Sequence, residues 1–209
     1  MTDPAARSFA PIAAPETSLP RSLSALVDEL WVRIAAGLDG RWPPVALPML
    51  VTSSAEGPRA RVLALRSIDP ALRRFVFHTD SRSEKIVELR ADPRVSLVFW
   101  DPALAIEARF AGVAEVHWED EVARQAWNGV SPLRRIASGI VARPGSRLAA
   151  QERFDALRST DDPVTARTHF AVVHLTATSL DWLWLGPHDM RRAMIRFTDA
   201  GMDAAWVVP

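Results

Sequence analysis

Cysteine is absent from the 209 residues, and lysine is nearly so. Without cysteine there are no disulfides, thiolate metal sites, iron–sulfur clusters or cysteine nucleophiles. Net charge is missing as well: 25 basic and 25 acidic side chains cancel. No whole-molecule field therefore draws the chain to nucleic acid or to an anionic membrane. No apolar run approaches the ~18 residues of a membrane span. Residues 1–19, rich in Ala, Pro and Ser, lack the basic-then-apolar order of a secretory signal, so a cytoplasmic location is the expectation. Missing too are a Gly-rich nucleotide loop, a His-Glu-x-x-His pair and a Gly-x-Ser-x-Gly elbow. His169 and His174 are five apart on a predicted strand, which puts them on opposite faces and makes them poor metal partners. No metal is expected, and Asp161-Asp162 before Pro163 reads as a loop.

What is present is ordinary globular composition, 48% hydrophobic and 24% charged, in a chain long enough to bury a sizeable core. Every basic residue but one is arginine, and the exception is Lys85. A coding bias that turns Lys into Arg would spare a position needing a compact ammonium rather than a planar guanidinium. Chance survival of one lysine accounts for the same fact, and the two readings stand side by side.

Residues 1–19 read as a flexible arm, and 20–209 as a single domain. From Ser22, Leu23, Leu26, Val27, Leu30, Trp31 and Ile34 recur at helical spacing, predicting an amphipathic helix that stops by Gly37–Gly40. Short alternating or β-branched runs follow: Met49–Ser53, Ala60–Ile68 and Arg74–Thr79, separated by turn residues at Glu56-Gly57-Pro58 and Asp69-Pro70. A helix is predicted over Arg82–Ala91, then strands over Val95–Trp100 and Ile106–His117. Residues 118–160 turn helical, with room for three short helices between the breaks at Pro132 and Pro144-Gly145. Phe170–Leu185, Arg192–Thr198 and Ala204–Val208 return to strand, the last two joined by an Asp199-Ala200-Gly201 turn. Runs of strands without regular helix alternation predict an α+β fold with an antiparallel barrel.

Chemistry concentrates between His78 and Lys85. Ser81 followed by Glu84 is a capping-box pattern that starts the helix at Arg82. Its first turn then carries Arg82, Ser83 and Lys85 at a terminus whose N–H groups and dipole favour an anion. Cations at the positive end of a helix repel it unless an anion intervenes, which favours a phosphate there. A capped surface helix with solvated charges gives the same pattern. Arg59, Arg61 and Arg66 fall on one predicted strand, a hairpin away from this loop. Arginines alternating on an exposed strand face are the plainer account of them. No residue declares itself as a general acid or base.

These residues resemble the pyridoxamine-phosphate oxidase-related family of FMN-binding split barrels. The likeness runs over about Pro48 to Glu115 and again over Phe170 to Pro209. The family's Arg, four mostly apolar residues and Lys are matched by Arg61-Val62-Leu63-Ala64-Leu65-Arg66, with Arg in the last place. Its aromatic-Thr pair is matched by His78-Thr79, and its Ser-Arg-Lys phosphate clamp by Ser83-Glu84-Lys85. The count from Thr79 to Asp92-Pro93-Arg94 needs no gap, and the sole lysine lands on the clamp lysine.

The resemblance implies an antiparallel split β-barrel of FMN-binding type, with an N-terminal helix and a helical insertion before the last strands. It also implies FMN bound between two identical chains. Flavin contacts are implied at Arg61, Val62, Leu63, Ala64, Arg66, His78, Thr79, Ser83 and Lys85, with Arg82 taking over the charge lost at Glu84. Glu107 stands where the family has a flavin-side Gln, and Trp182 and Arg192 match its C-terminal Trp and Arg. Packing explains Trp182 and Trp184 equally well. The family enzyme's grip on its substrate phosphate, a Tyr, an Arg and a Ser, falls on Gln125, Gly129 and Leu133, and its Arg-x-His pair on His188-Asp189-Met190. An FMN-dependent oxidoreductase of a different small molecule is therefore implied. The competing expectations are a flavin- or tetrapyrrole-binding protein without turnover and a deazaflavin-dependent reductase.

Overall fold

The apolar stripe of the first helix decides where that helix goes. α1 (Leu23–Leu38) buries Leu26, Val27, Leu30, Trp31 and Ile34. Trp31 stacks on Phe75 with ring centroids 4.9 Å apart and tilts against Phe110 at 5.6 Å. Both phenylalanines belong to strands, so α1 closes onto the concave side of a sheet. The computed structural model describes residues 20, 22–38, 47–132, 135, 138–140, 142–147, 163–187 and 189–209. The predicted arm over 1–19 and much of the predicted helical insertion lie outside these residues. Among the described residues no helix is long and apolar enough to cross a membrane.

After α1 come β1 (Met49–Ser54), β2 (Gly57–Val62), β3 (Leu65–Asp69), β4 (Arg74–Asp80), α2 (Glu84–Ala91), β5 (Arg94–Asp101) and β6 (Ile106–Trp118). They are followed by α3 (Glu121–Asn128), α4 (Pro163–Thr168), β7 (Phe170–Leu185), β8 (Met190–Thr198) and β9 (Gly201–Val207). The nine strands form one antiparallel sheet in the order β2-β1-β5-β6-β7-β4-β3. β8 pairs with the second half of β7, and β9 with β8. β7 is the spine: β6 lies along one side for nearly its whole length, while β4 and then β8 share the other.

The expected strand over Ala60–Ile68 is in fact two, and the break shapes the molecule. β2 pairs with β1 at one end of the sheet, whereas β3 pairs with β4 at the other. Only Leu63 and Ala64 join them. Three residue steps, each advancing at most ~3.6 Å, keep the two sheet edges within about 11 Å, so the sheet must curl into a barrel that stays split along this seam. Leu63 N donates to the Pro48 carbonyl at 3.0 Å and so caps the seam. Phe75, Phe77, Phe110, Leu50, Leu97, Leu175, Leu180 and Ile195 fill the interior and are fully buried. The predicted antiparallel split barrel with its N-terminal helix is therefore the observed fold.

One glycine is required by close approach. The β6–β7 register slips between Ala111 and Gly112, and a Cβ on Gly112 would collide with the Thr176 carbonyl oxygen. On the outer face, Trp127, Val130, Ala166, Phe170 and Val172 make a smaller apolar cluster beneath α3. α4 occupies residues read as loop or left unassigned in the sequence.

Candidate functional site

The helix that follows β4 begins later than its sequence pattern predicts. Asp80 is the reason. Its carboxylate accepts from Arg82 N at 2.8 Å and from Arg82 Nε and Nη2 at 3.0 and 2.7 Å, which holds Arg82 in a turn. Ser83 Oγ donates to the Asp80 carbonyl at 2.7 Å. α2 therefore starts at Glu84 with Ser83 as N-cap and no side-chain cap bond; the Ser81–Glu84 capping box is not formed. Arg82 also donates to the Ile140 carbonyl at 2.7 Å. Its guanidinium is thus engaged by Asp80 and Ile140, and Glu84 is paired with Arg59 at 2.8 Å.

α2 lies across the mouth of the barrel with Ile86 and Leu89 buried. That places Lys85 beside the last turn of β4, where Nζ donates to Thr79 Oγ1 at 3.0 Å. Thr79 shares the inward face of β4 with Phe75 and Phe77, whereas His78 points outward and meets Phe170 edge-on at 4.9 Å. The neighbours His78 and Thr79 thus serve opposite faces. Among the described residues Lys85 makes no ion pair. Burial pushes its ammonium below the ordinary lysine range and Arg61 adds to the effect, while Asp80, Glu88 and Glu84 oppose it.

Arg61 reaches α2 from the other wall. On β2 it sits opposite Leu50 on the inward face and donates to Thr52 Oγ1 and to Glu88 Oε2 at 2.7 Å. Thr52 in turn donates to Glu88 at 2.5 Å. Burial raises the Glu88 carboxyl, but the hydrogen bonds from Thr52 and Arg61 and the charges of Arg61 and Arg59 outweigh it, so its pKa lies below the usual range. Arg66 is not on the strand of Arg59 and Arg61. It lies on β3 at a register shift and lines a recess with His78, Thr79, Asp80 and Phe170. Val62 is exposed at the end of β2, while Leu63 and Ala64 form the seam.

Thr52 and Glu88 escaped the sequence reading. The available signal was a carboxylate at a helix position flanked by Ile86 and Leu89, where a charge needs a partner.

Glu107, Trp182 and Arg192 lie elsewhere. Glu107, Leu183 and Arg192 are in register across β6, β7 and β8 and face outward. There Asp181 accepts from Arg192 Nε at 2.9 Å and Nη2 at 2.7 Å, and also from Arg109. Trp182 has the opposite parity, is buried, and meets Trp206 edge-on. Trp182 and Arg192, predicted to touch one flavin, are on opposite faces of the sheet within a chain.

The cluster Arg61, Thr79, Ser83 and Lys85 suits a phosphate. Among the described residues it offers an ammonium in no ion pair and a guanidinium with two donors engaged out of five. It also stands at the N-terminus of a two-turn helix. FMN is the phosphate ester that the resemblance implies, and these residues fit its phosphate end.

A family model described as pyridoxamine 5'-phosphate oxidase matches residues 45–155. The pyridoxine/pyridoxamine 5'-phosphate oxidase of Microcystis aeruginosa is 36% identical over 96 residues, 46% of this chain and 44% of that protein. The same enzyme of Granulibacter bethesdensis is 37% identical over 87 residues, 40% of each. The chain thus spans less than half the length of these curated relatives. Among solved structures, a pyridoxamine 5'-phosphate oxidase-related, FMN-binding protein of Nostoc punctiforme superposes with a TM-score of 0.70 at 21% identity, covering 92% of this chain and all of that one. PhzG of Burkholderia lata, in complex with tetrahydrophenazine-1-carboxylic acid, gives 0.69 at 20% identity over 93% and 96%.

Proposed function

Since this chain belongs to the pyridoxamine 5'-phosphate oxidase family, we propose that it is an FMN-dependent oxidoreductase acting on a small molecule other than pyridoxamine phosphate. The observation that carries this reading is Lys85: the only lysine in the chain, partly buried, held by Thr79 and making no ion pair among the described residues. In this proposal Lys85 takes the phosphate, Thr79 aims the ammonium, and Ser83 joins by turning its hydroxyl from the Asp80 carbonyl to the phosphate. Arg61 contributes its spare N–H groups while Glu88 keeps its guanidinium in place. FMN, when bound, supplies electron and hydride transfer, and the protein supplies position and electrostatics.

The same reading makes the working unit a homodimer. Glu107 and Arg192 face outward from the sheet while Arg61, Thr79 and Lys85 face its interior side. If both sets serve one flavin, the outward set comes from a second copy, whose exposed β6–β8 face is then covered.

The test is the absorbance spectrum of the purified protein and its melting temperature with FMN, riboflavin and a deazaflavin, together with its mass by light scattering. FMN is expected to raise the melting temperature, because a ligand of the native state must stabilise it, and the mass is expected to be that of two chains. No shift at saturating FMN would refute the cofactor, and a monomer that holds FMN tightly would refute the shared site. A flavin that resists reduction by every pyridine nucleotide and by dithionite would point to carriage without turnover.

A further inference from the structure

Three ligand-type side chains meet on the outer face of the sheet, apart from the Lys85 cluster. Glu115 and His117 stand two apart on β6 and share a face. His174 of β7 pairs directly with Glu115. The ligand atoms of the three lie within 4.8 Å of one another. His117 Nε2 is 3.5 Å from the Glu115 carboxylate, and the two imidazoles are 4.5 Å apart between centroids.

His117 is the telling member. It is only 9% exposed, and its Nε2 is buried with no hydrogen-bond partner. Its other nitrogen, Nδ1, lies 2.8 Å from Asp120 Oδ2. A carboxylate only accepts, so Nδ1 carries a proton, and an imidazole held this way would offer its Nε2 to a metal ion on the side of the Glu115 carboxylate. The unpartnered Nε2 is buried beside an exposed carboxylate, an arrangement that a cation between the two would complete. Asp120 is itself fixed, as the N-cap of α3 accepting from Ala123 N at 2.8 Å. This carboxylate–histidine arrangement is the one that orients imidazole ligands at metal centres.

We propose that Glu115, His117 and His174 bind a divalent first-row transition-metal ion, zinc in the first instance, with solvent completing the coordination. Two imidazoles and one carboxylate form a nitrogen-rich set suited to zinc and its neighbours rather than to calcium or magnesium. A tetrahedral zinc with bonds of about 2.1 Å holds its ligand atoms about 3.4 Å apart. The His117–Glu115 separation already matches that spacing. Glu115 is exposed and His174 half-buried, so both can rotate inward. Glu115 and Asp120 bring two negative charges to this face, against one positive charge from Arg74, diagonal to His174 across the β4–β7 pair. The ion would clamp β6 to β7 where α3 begins.

The sequence reading dismissed His174 because it was paired with His169. The partner is His117, 57 residues earlier in the chain and brought near by strand register, as the numbering in the sequence shows.

The test uses the full chain without a polyhistidine tag, stripped by a chelator and titrated with zinc by calorimetry, and with cobalt to read its visible bands. One ion per chain at micromolar affinity or tighter is expected, with a rise in melting temperature that grows with zinc excess. Glu115→Gln and His174→Gln, both away from the core, are expected to weaken binding at least about tenfold, and Asp120→Asn about 10–100-fold. Circular dichroism checks that each variant is folded. Zinc binding that is absent from the wild type, or unchanged in the Glu115→Gln/His174→Gln double variant, would overturn the proposal.

Discussion

At the scale of single residues, the cluster at the mouth of the barrel is a balance of charges that an anion would complete. Lys85 is held in a partly buried place with its proton affinity reduced by burial and by Arg61. Lys85→Ala should therefore cost FMN roughly 1.5–3 kcal/mol of binding, the usual worth of a charge-assisted contact, and cost riboflavin little, since riboflavin has no phosphate. Equal losses measured by titration would place Lys85 away from the phosphate. Glu88 works in the opposite sense, as a buried carboxylate held by Thr52 and Arg61. Its folded pKa lies below its unfolded value of about 4.3. Its contribution is thus fully present above that pH and is lost as pH falls through the folded pKa. Glu88→Gln should lower unfolding free energy near neutral pH by about 1.5–3 kcal/mol, and the gap to wild type should close as the pH drops below about 4. A gap of constant size down to pH 3 would mean that the ionised carboxylate is not what Arg61 needs. The proximity of Lys85, Ser83 and Thr79 could be read from the chain because they lie within seven residues of one another. Glu88 and Thr52 could not, since their partner Arg61 arrives from the far edge of the sheet.

At the scale of elements, the parts set by local chemistry were legible and those set by closure were not. The stripe Leu26–Ile34 gave α1 nearly to the residue, and β-branched alternation gave β1, β4, β5, β6 and β7. The break between β2 and β3 carries no glycine or proline; it exists because the chain must cross the seam at Leu63–Ala64. The late start of α2 has a comparable cause: Asp80 captures Arg82 before a Ser81 cap can form. Gly112 was visible only as a glycine, and its reason lies in the bulge opposite Thr178. Gly112→Ala should force β6 and β7 apart at the Thr176 carbonyl, with a loss of about 1–3 kcal/mol as for other overpacked sites. Urea unfolding would check it, and a neutral result would show that the bulge can relax.

At the scale of the whole molecule, barrel and substrate grip separate. The barrel follows the family, but under the resemblance the described positions beyond β6 do not carry the Tyr and Arg that grip the oxidase's substrate phosphate. Under the resemblance, the enzyme's Tyr, Arg and Ser fall on Gln125, Gly129 and Leu133. Gln125 is on α3 and donates to Glu121 at 2.9 Å. Gly129 caps the end of that helix and offers no side chain. Leu133 lies outside the described residues and has no charge or hydroxyl to give. A shifted alignment would recruit Arg134 or Arg135 from the stretch after α3, and Arg134 lies outside the described residues. Arg135 there lies over the Trp127 ring, 4.9 Å from its centroid, and donates to the Trp127 carbonyl at 3.0 Å, so it is committed to the outer-face cluster. The phosphate of pyridoxamine phosphate would then be bound without its charge-assisted partners, each worth about 1.5–3 kcal/mol. Two such losses remove about two to four decades of catalytic efficiency, at about 1.4 kcal/mol per decade. Oxygen uptake by the FMN-loaded protein with millimolar pyridoxamine phosphate or pyridoxine phosphate should accordingly stay near the background of free flavin. Turnover matching a dedicated oxidase would show that the grip is rebuilt from other residues, and would return the protein to vitamin B6 chemistry.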